Sequence, residues 1–146
     1  MASRKNNSFD EDFGATTPDL SDLATRKRLS PAAITAMTKL AELWRLKDAD
    51  VRALLGGISE RTWMRMKAGK WAMPLSQRRL TRISLLLGIY KGLNQLYSRP
   101  LADQWMWLPN KSQPYRGVQP ISFILKGGMA ALRSMRHDIQ ALCGSA

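Results

Sequence analysis

Two adjacent glycines, Gly56 and Gly57, interrupt the stretch VRALLGGISERTWMRMKAGK at residues 51–70 and constrain the fold more than any other feature. A glycine pair breaks a helix, because each glycine enters the left-handed backbone region at little steric cost. The apolar residues before the pair, with Asp48 as their cap, predict a short helix that ends here. Ser59 predicts the start of a second, since its hydroxyl can accept from unpaired backbone N–H groups of the next turn. In that second helix Ile58, Trp63 and Met66 fall on one side, while Arg61 and Arg65 lie one turn apart on another. Two short helices joined by a tight turn, the second bearing arginines, have the layout of a helix-turn-helix. Such a second helix meets base edges in the DNA major groove, where a guanidinium donates twice to guanine O6 and N7. One glycine is usual in the turn. With two, Val51 and Leu55 are buried only if one glycine acts as an insertion.

The charge supports the same expectation. The chain of 146 residues carries a net charge of +12, and its hydrophobic fraction of 45% is that of a globular protein. Residues 1–28 hold five basic and five acidic residues, which leaves 18 of the 23 basic and 6 of the 11 acidic residues for the remainder. From Arg61 to Arg82 there are seven cations, Arg61, Arg65, Lys67, Lys70, Arg78, Arg79 and Arg82, and no acid. Phosphate neutralisation needs such a run, and binding through it weakens as salt rises. Ser59, Arg61, Thr62 and Arg65 are therefore expected to read bases. Lys67, Lys70, Arg78, Arg79 and Arg82 are expected to hold the phosphates of double-stranded DNA.

Along the chain, residues 1–28 are polar and aperiodic and read as a flexible tail, with Asp10, Glu11 and Asp12 as an acidic cluster. Ser30-Pro31 predicts a helix start, followed by a buried stripe of Ile34, Met37, Leu40, Leu43 and Trp44. Ser76 caps a long helix from Gln77 towards Tyr97. Its apolar residues run nearly all round, which makes it either central to the fold or part of a homodimer interface. The longest apolar run is too short to span a bilayer, and the lone Cys143 fits a reducing, cytoplasmic setting. The fold class expected is all-α, divided into a tail (1–28), a DNA-binding bundle (29–98) and a small helical module (99–146).

That last module contains W-x-W-L-P-N at 105–110, R-G-V-Q-P-I at 116–121 and ILKGG at 124–128. Gly117 suits a positive φ, Pro120 opens a short helix, and Gly127-Gly128 breaks it. A final helix bears Leu132, Met135, Ile139 and Leu142 on one face. These motifs, in this order after an arginine-bearing helix pair, resemble the Xre/MbcA/ParS antitoxins. That family joins an Xre-like helix-turn-helix to a C-terminal toxin-binding domain, and the resemblance covers about residues 30–142. It implies a type II antitoxin that neutralises a cognate toxin and represses the shared operon; repressors commonly bind paired half-sites as dimers, which is the reason for expecting a homodimer. The implied toxin has a RES or related domain that degrades NAD or transfers ADP-ribose from it. The matching positions are Trp105, Leu108, Asn110, Arg116, Gly117, Pro120 and the helix at 129–142; of these Trp105 and Leu108 are assigned to the core, and Gly117 and Pro120 to the shape of the loop. Asn110, Arg116, Lys126, Arg133 and Arg136 are left to touch the toxin.

An enzyme is not expected. His137 lacks the neighbours of a catalytic triad, and one cysteine with one histidine cannot supply a zinc site. No cofactor is called for. Two alternatives stand beside the antitoxin. One is a plain helix-turn-helix repressor whose C-terminal module serves dimerisation. The other is a toxin-binding protein whose basic face no longer reads an operator.

Overall fold

In the computed structural model, which describes residues 18–145, the chain is all-helical. The acidic cluster and most of the expected tail lie outside the described residues. Helix α1 spans Leu23–Leu43, α2 Asp48–Leu54, α3 Glu60–Lys67 and α4 Gln77–Leu96. A single turn α5, Leu101–Gln104, continues into a 3-10 turn at Trp105–Trp107, and α6 spans Pro120–Ser145. Gly128, at φ 64° and ψ −147°, interrupts α6, as the Gly-Gly pair predicts. No helix among the described residues is long and apolar enough to cross a membrane.

Helix α1 begins eight residues earlier than Ser30-Pro31 predicts. Its cap is Asp22, whose carboxylate accepts from the N–H of Thr25 at 3.0 Å. Pro31 lies inside the helix, where a missing N–H costs about 3 kcal/mol. Ser30 is buried and serves tertiary structure instead. Its hydroxyl donates to the Arg26 carbonyl at 2.6 Å and accepts from the N–H of Leu75 at 2.8 Å. This contact ties α1 to the link that precedes α4. The local start signature was genuine chemistry directed at a residue 45 positions away.

Helix α4 is the centre of the molecule. Ser76 caps it by accepting from the N–H of Arg79 at 3.2 Å, and Leu80, Ile83, Leu86, Ile89 and Leu93 are buried along it. Its most extensive contacts are with α6, then with α1. One continuous core joins Met37 and Leu40 of α1 and Trp44 at its C-terminal cap, the α4 residues, Met106 of the 3-10 turn, and Leu132, Met135 and Ile139 of α6. Residues on both sides of the expected boundary at 98/99 thus share this core. Leu142, expected on the buried face of α6, is 53% exposed, because the packing ends at Ile139 and Cys143.

The α4–α6 contact is close because α4 presents Gly88 and Gly92 one turn apart. A Cβ at Gly88 would stand 1.8 Å from Nε of Arg136, and one at Gly92 would stand 2.4 Å from Cγ2 of Ile139. The Cys143 thiol lies 3.5 Å from the Gly92 carbonyl oxygen, to which it donates. Glycine within a helix costs about 1 kcal/mol against alanine, so its presence here follows from the close approach. Gly92→Ala is therefore expected to lower stability by about 1–3 kcal/mol in urea unfolding, despite the better helix former. Adding Ile139→Leu, which removes the clashing methyl, recovers part of that loss. An additive double mutant would show that the two positions do not meet.

Candidate nucleic-acid interface

The link between α2 and α3 uses both glycines. Gly56 has φ 92° and Gly57 φ 88°, and the Gly57 N–H donates to the Arg52 carbonyl at 2.7 Å. Arg52 returns the contact, its Nε donating to the Ile58 carbonyl at 3.0 Å. Val51, Leu54, Leu55 and Ile58 are all buried around this turn. The second glycine is thus absorbed without exposing either apolar residue.

Ser59 caps α3 as expected. Its oxygen accepts from the N–H of Thr62 at 3.1 Å, and its hydroxyl donates to Thr62 Oγ1 at 2.9 Å. Trp63 and Met66 are buried, and Arg61 and Arg65 are exposed. Successive residues turn by about 100° on a helix, so Arg61, Met64, Arg65 and Ala68 share an arc of about 100° opposite the buried pair. The same spacing places Met64 on this face, and it is 47% exposed.

Asp48 does not cap α2. Lys47 holds the cap position, and Asp48 is the first helical residue. Its carboxylate reaches across to α3 instead, accepting from Trp63 Nε1 at 2.9 Å and from Lys67 Nζ at 2.9 Å and 3.2 Å. The Lys67 ammonium also stands 5.8 Å from the centre of the Trp63 ring. The hydrogen bonds from Lys67 and then Trp63 hold the Asp48 carboxyl below its usual range. Lys67, expected on a phosphate, is engaged in fixing how α3 is rotated against α2.

Arg82 is likewise drawn inward. Its Nη1 donates to the Leu54 carbonyl at 3.1 Å, at the C-terminal end of α2, and a Cβ on Gly56 would lie 3.3 Å from its Nε. Burial, and then the charge of Arg78, lower its pKa from the usual arginine value. A cation at a helix C-terminus satisfies free carbonyls and complements the helix dipole. Of the remaining expected phosphate ligands, Lys70 and Arg78 are exposed and Arg79 is half-buried. The outward cations of α3, its following link and the first turn of α4 therefore form the candidate surface.

The residues expected to meet a toxin divide in a similar way. Asn110 builds its loop: Oδ1 accepts from the N–H of Ser112 at 2.9 Å, its N–H donates to Val118 O at 3.1 Å, and its carbonyl accepts from Gly117 N at 2.7 Å. Arg116 and Gly117 take φ values of 51° and 92°, and Arg116 Nε donates to Gln113 Oε1 at 3.2 Å. Under the loop Tyr115 is buried, edge-on to Trp105 and Phe123 with ring centres 5.7 Å and 5.2 Å away. Burial, and then the charge of Asp138, push its phenol up to about 12. Trp107 hydrogen-bonds the Trp44 carbonyl at 2.7 Å and so joins the 3-10 turn to α1. Leu108, expected in the core, is 45% exposed, because the chain turns outward after Trp107. Lys126 and Arg133 are exposed. Arg136 lies along Gly88 and bonds Gln140, so it packs against α4 more than it faces outward. His137 is exposed, and among the described residues no group of His, Cys, Asp and Glu is placed to hold a metal ion.

No family model matches the chain, and no solved structure matches it. It is 28% identical over 115 residues to the uncharacterized protein y4oB of Sinorhizobium fredii (strain NBRC 101917 / NGR234), an alignment covering 78% of this chain and 86% of that protein.

Removing the Asp48 carboxylate is expected to loosen α3. Asp48→Asn should unfold at a lower temperature than the unsubstituted chain at neutral pH. A carboxyl whose pKa is lowered on folding stabilises the fold above its ordinary value and loses that effect as it is protonated. The difference between the two proteins should therefore shrink as pH falls below 3.8, the ordinary carboxyl value. A difference independent of pH in thermal melts would remove the charge from this account.

Proposed function

We propose that α2 and α3 form an Xre-type helix-turn-helix that binds operator DNA, in an antitoxin that also neutralises a cognate toxin and represses its own operon. The observation that carries the DNA reading is a helix with one face buried, its rotation clamped by Asp48, and two arginines on the outward face. Arg61 and Arg65 meet guanine edges, and Ser59 and Thr62 lie at the end of the helix nearest the bases. Lys70, Arg78 and Arg79 neutralise phosphates, while Lys67 and Arg82 hold the frame that presents them. The antitoxin reading rests on the resemblance of the motifs at 105–128 to the Xre/MbcA/ParS family. The partner is a toxin with a RES-like or ADP-ribosyltransferase domain, and the repressor acts as a homodimer in the cytoplasm.

The toxin surface consists of Arg116, Lys126 and Arg133, the exposed members of the expected set. Asn110 supports this surface through its loop, and Arg136 through its packing on α4. Truncation after Gly128 cannot separate the two activities, because it removes Leu132, Met135 and Ile139 from the common core. Exposed-site substitutions can.

Two measurements test the reading. In gel retardation against the chain's own promoter, Arg65→Ala should cost about 1–3 kcal/mol and relax discrimination at one base position. An equal loss on every sequence would make Arg65 a phosphate contact. In a pull-down at high salt, where phosphate contacts are stripped, one stoichiometric protein should remain bound. The triple substitution Arg116→Glu, Lys126→Glu, Arg133→Glu should release that protein and leave promoter binding intact. Promoter binding with no retained protein would reduce the chain to a plain repressor.

A further inference from the structure

We infer that Met64 is a base-reading residue, which recognises the C5-methyl group of a thymine next to a guanine read by Arg61 or Arg65. The inference rests on the operator-binding reading and adds to it the chemistry of the site that is read. Three observations carry it. Met64 shares the outward arc of α3 with Arg61, Arg65 and Ala68, three positions after one arginine and one before the other. It is 47% exposed, whereas Met66, two residues on, is 3% exposed in the core. The Asp48–Trp63–Lys67 contact fixes the rotation of the helix, so Met64 faces outward whenever the arginines do.

The chemistry follows from what each side chain can offer. The arginines bring donors only, and these match guanine O6 and N7. The thioether brings no donor and only a weak acceptor, so it adds little to the recognition of an amino group and nothing to that of a phosphate. An unbranched, polarisable chain is suited to an apolar projection, and the thymine methyl is the one that the major groove presents. Ala68 completes the arc with a second small apolar surface. The half-site read by α3 should therefore combine guanine with an adjacent thymine. An all-arginine face would carry no such preference.

The test uses the full chain and duplexes selected by it from a randomised pool. Each dT of the selected site is replaced in turn by deoxyuridine, which removes one methyl group and leaves base pairing unchanged. Affinities are read by fluorescence anisotropy at fixed salt. At one position, next to the guanine whose replacement is silent in Arg65→Ala or Arg61→Ala, the substitution should weaken binding about fourfold, the worth of one buried methyl. Met64→Gln, of similar length but polar, should bind the dT and deoxyuridine duplexes equally, with an unchanged melting temperature because the site is exposed. A selected consensus in which no deoxyuridine changes affinity would overturn the role of Met64 and leave operator binding standing. So would an equal loss for the chain and for Met64→Gln. A pool that yields no consensus would overturn both readings.

Discussion

The close contact of α4 with α6 through Gly88 and Gly92 is the constraint on which the rest of the structure depends. A side chain at Gly92 would press Ile139 and its helix away from α4, and Leu132 and Met135 would lose part of their seat, whereas one at Gly88 would displace the flexible end of Arg136. Because α4 also packs on α1, the same helix carries the packing load of both ends of the chain. Its apolar residues run almost all round because it has neighbours on most sides, and a surface helix could not tolerate that pattern.

From this centre the orientation of α3 is reached in two steps. The first is Arg82, which leaves the N-terminal half of α4 to bond the last carbonyl of α2 beside Gly56. The second is Asp48, which leaves the first residue of α2 to hold Trp63 and Lys67. Each is a charge-assisted hydrogen bond between elements, and such bonds have the directionality that apolar packing lacks. Apolar burial makes α3 dock; these two contacts choose its angle and rotation. Arg61, Arg65, Lys70 and Arg78 stand exposed outside that frame.

Much of this was legible from the residues. Ser59 and Ser76 cap the helices that they were expected to cap, and Ile58, Trp63 and Met66 are buried as their spacing predicts. Local hydrogen bonding and helical periodicity decide those features, and both are written in short stretches of sequence. What was not legible depends on residues far apart in the chain. Ser30 has the form of a helix start, but its hydroxyl meets the N–H of Leu75. Asp48 has the form of a cap, yet its partners lie 15 and 19 residues on. Gly88 and Gly92 look like weak points in a helix until Arg136 and Ile139 are placed over them. In the basic run, charge alone could not separate Lys67 and Arg82 from Arg61 and Arg65, since all four are cations and what sets the first two apart is an acceptor brought near by the fold. Met64 is the opposite case. Its position on the outward arc follows from helical spacing alone, but a methionine among arginines attracts no notice where charge is the signal sought.

A shared core also sets the terms on which two functions can reside in one chain of this size. When two modules fold separately, cutting one away leaves the other intact, and each surface is then defined by what its own fragment binds. Here the C-terminal helix supplies Leu132, Met135 and Ile139 to the core that supports α4, and α4 in turn supports α2. Loss of that helix therefore reaches the arginine-bearing face through stability, whatever the face contacts. Substitutions at exposed, unpacked side chains do not propagate in this way, because distant sites without shared partners act independently. Function in this protein therefore has to be assigned by substitutions at exposed residues.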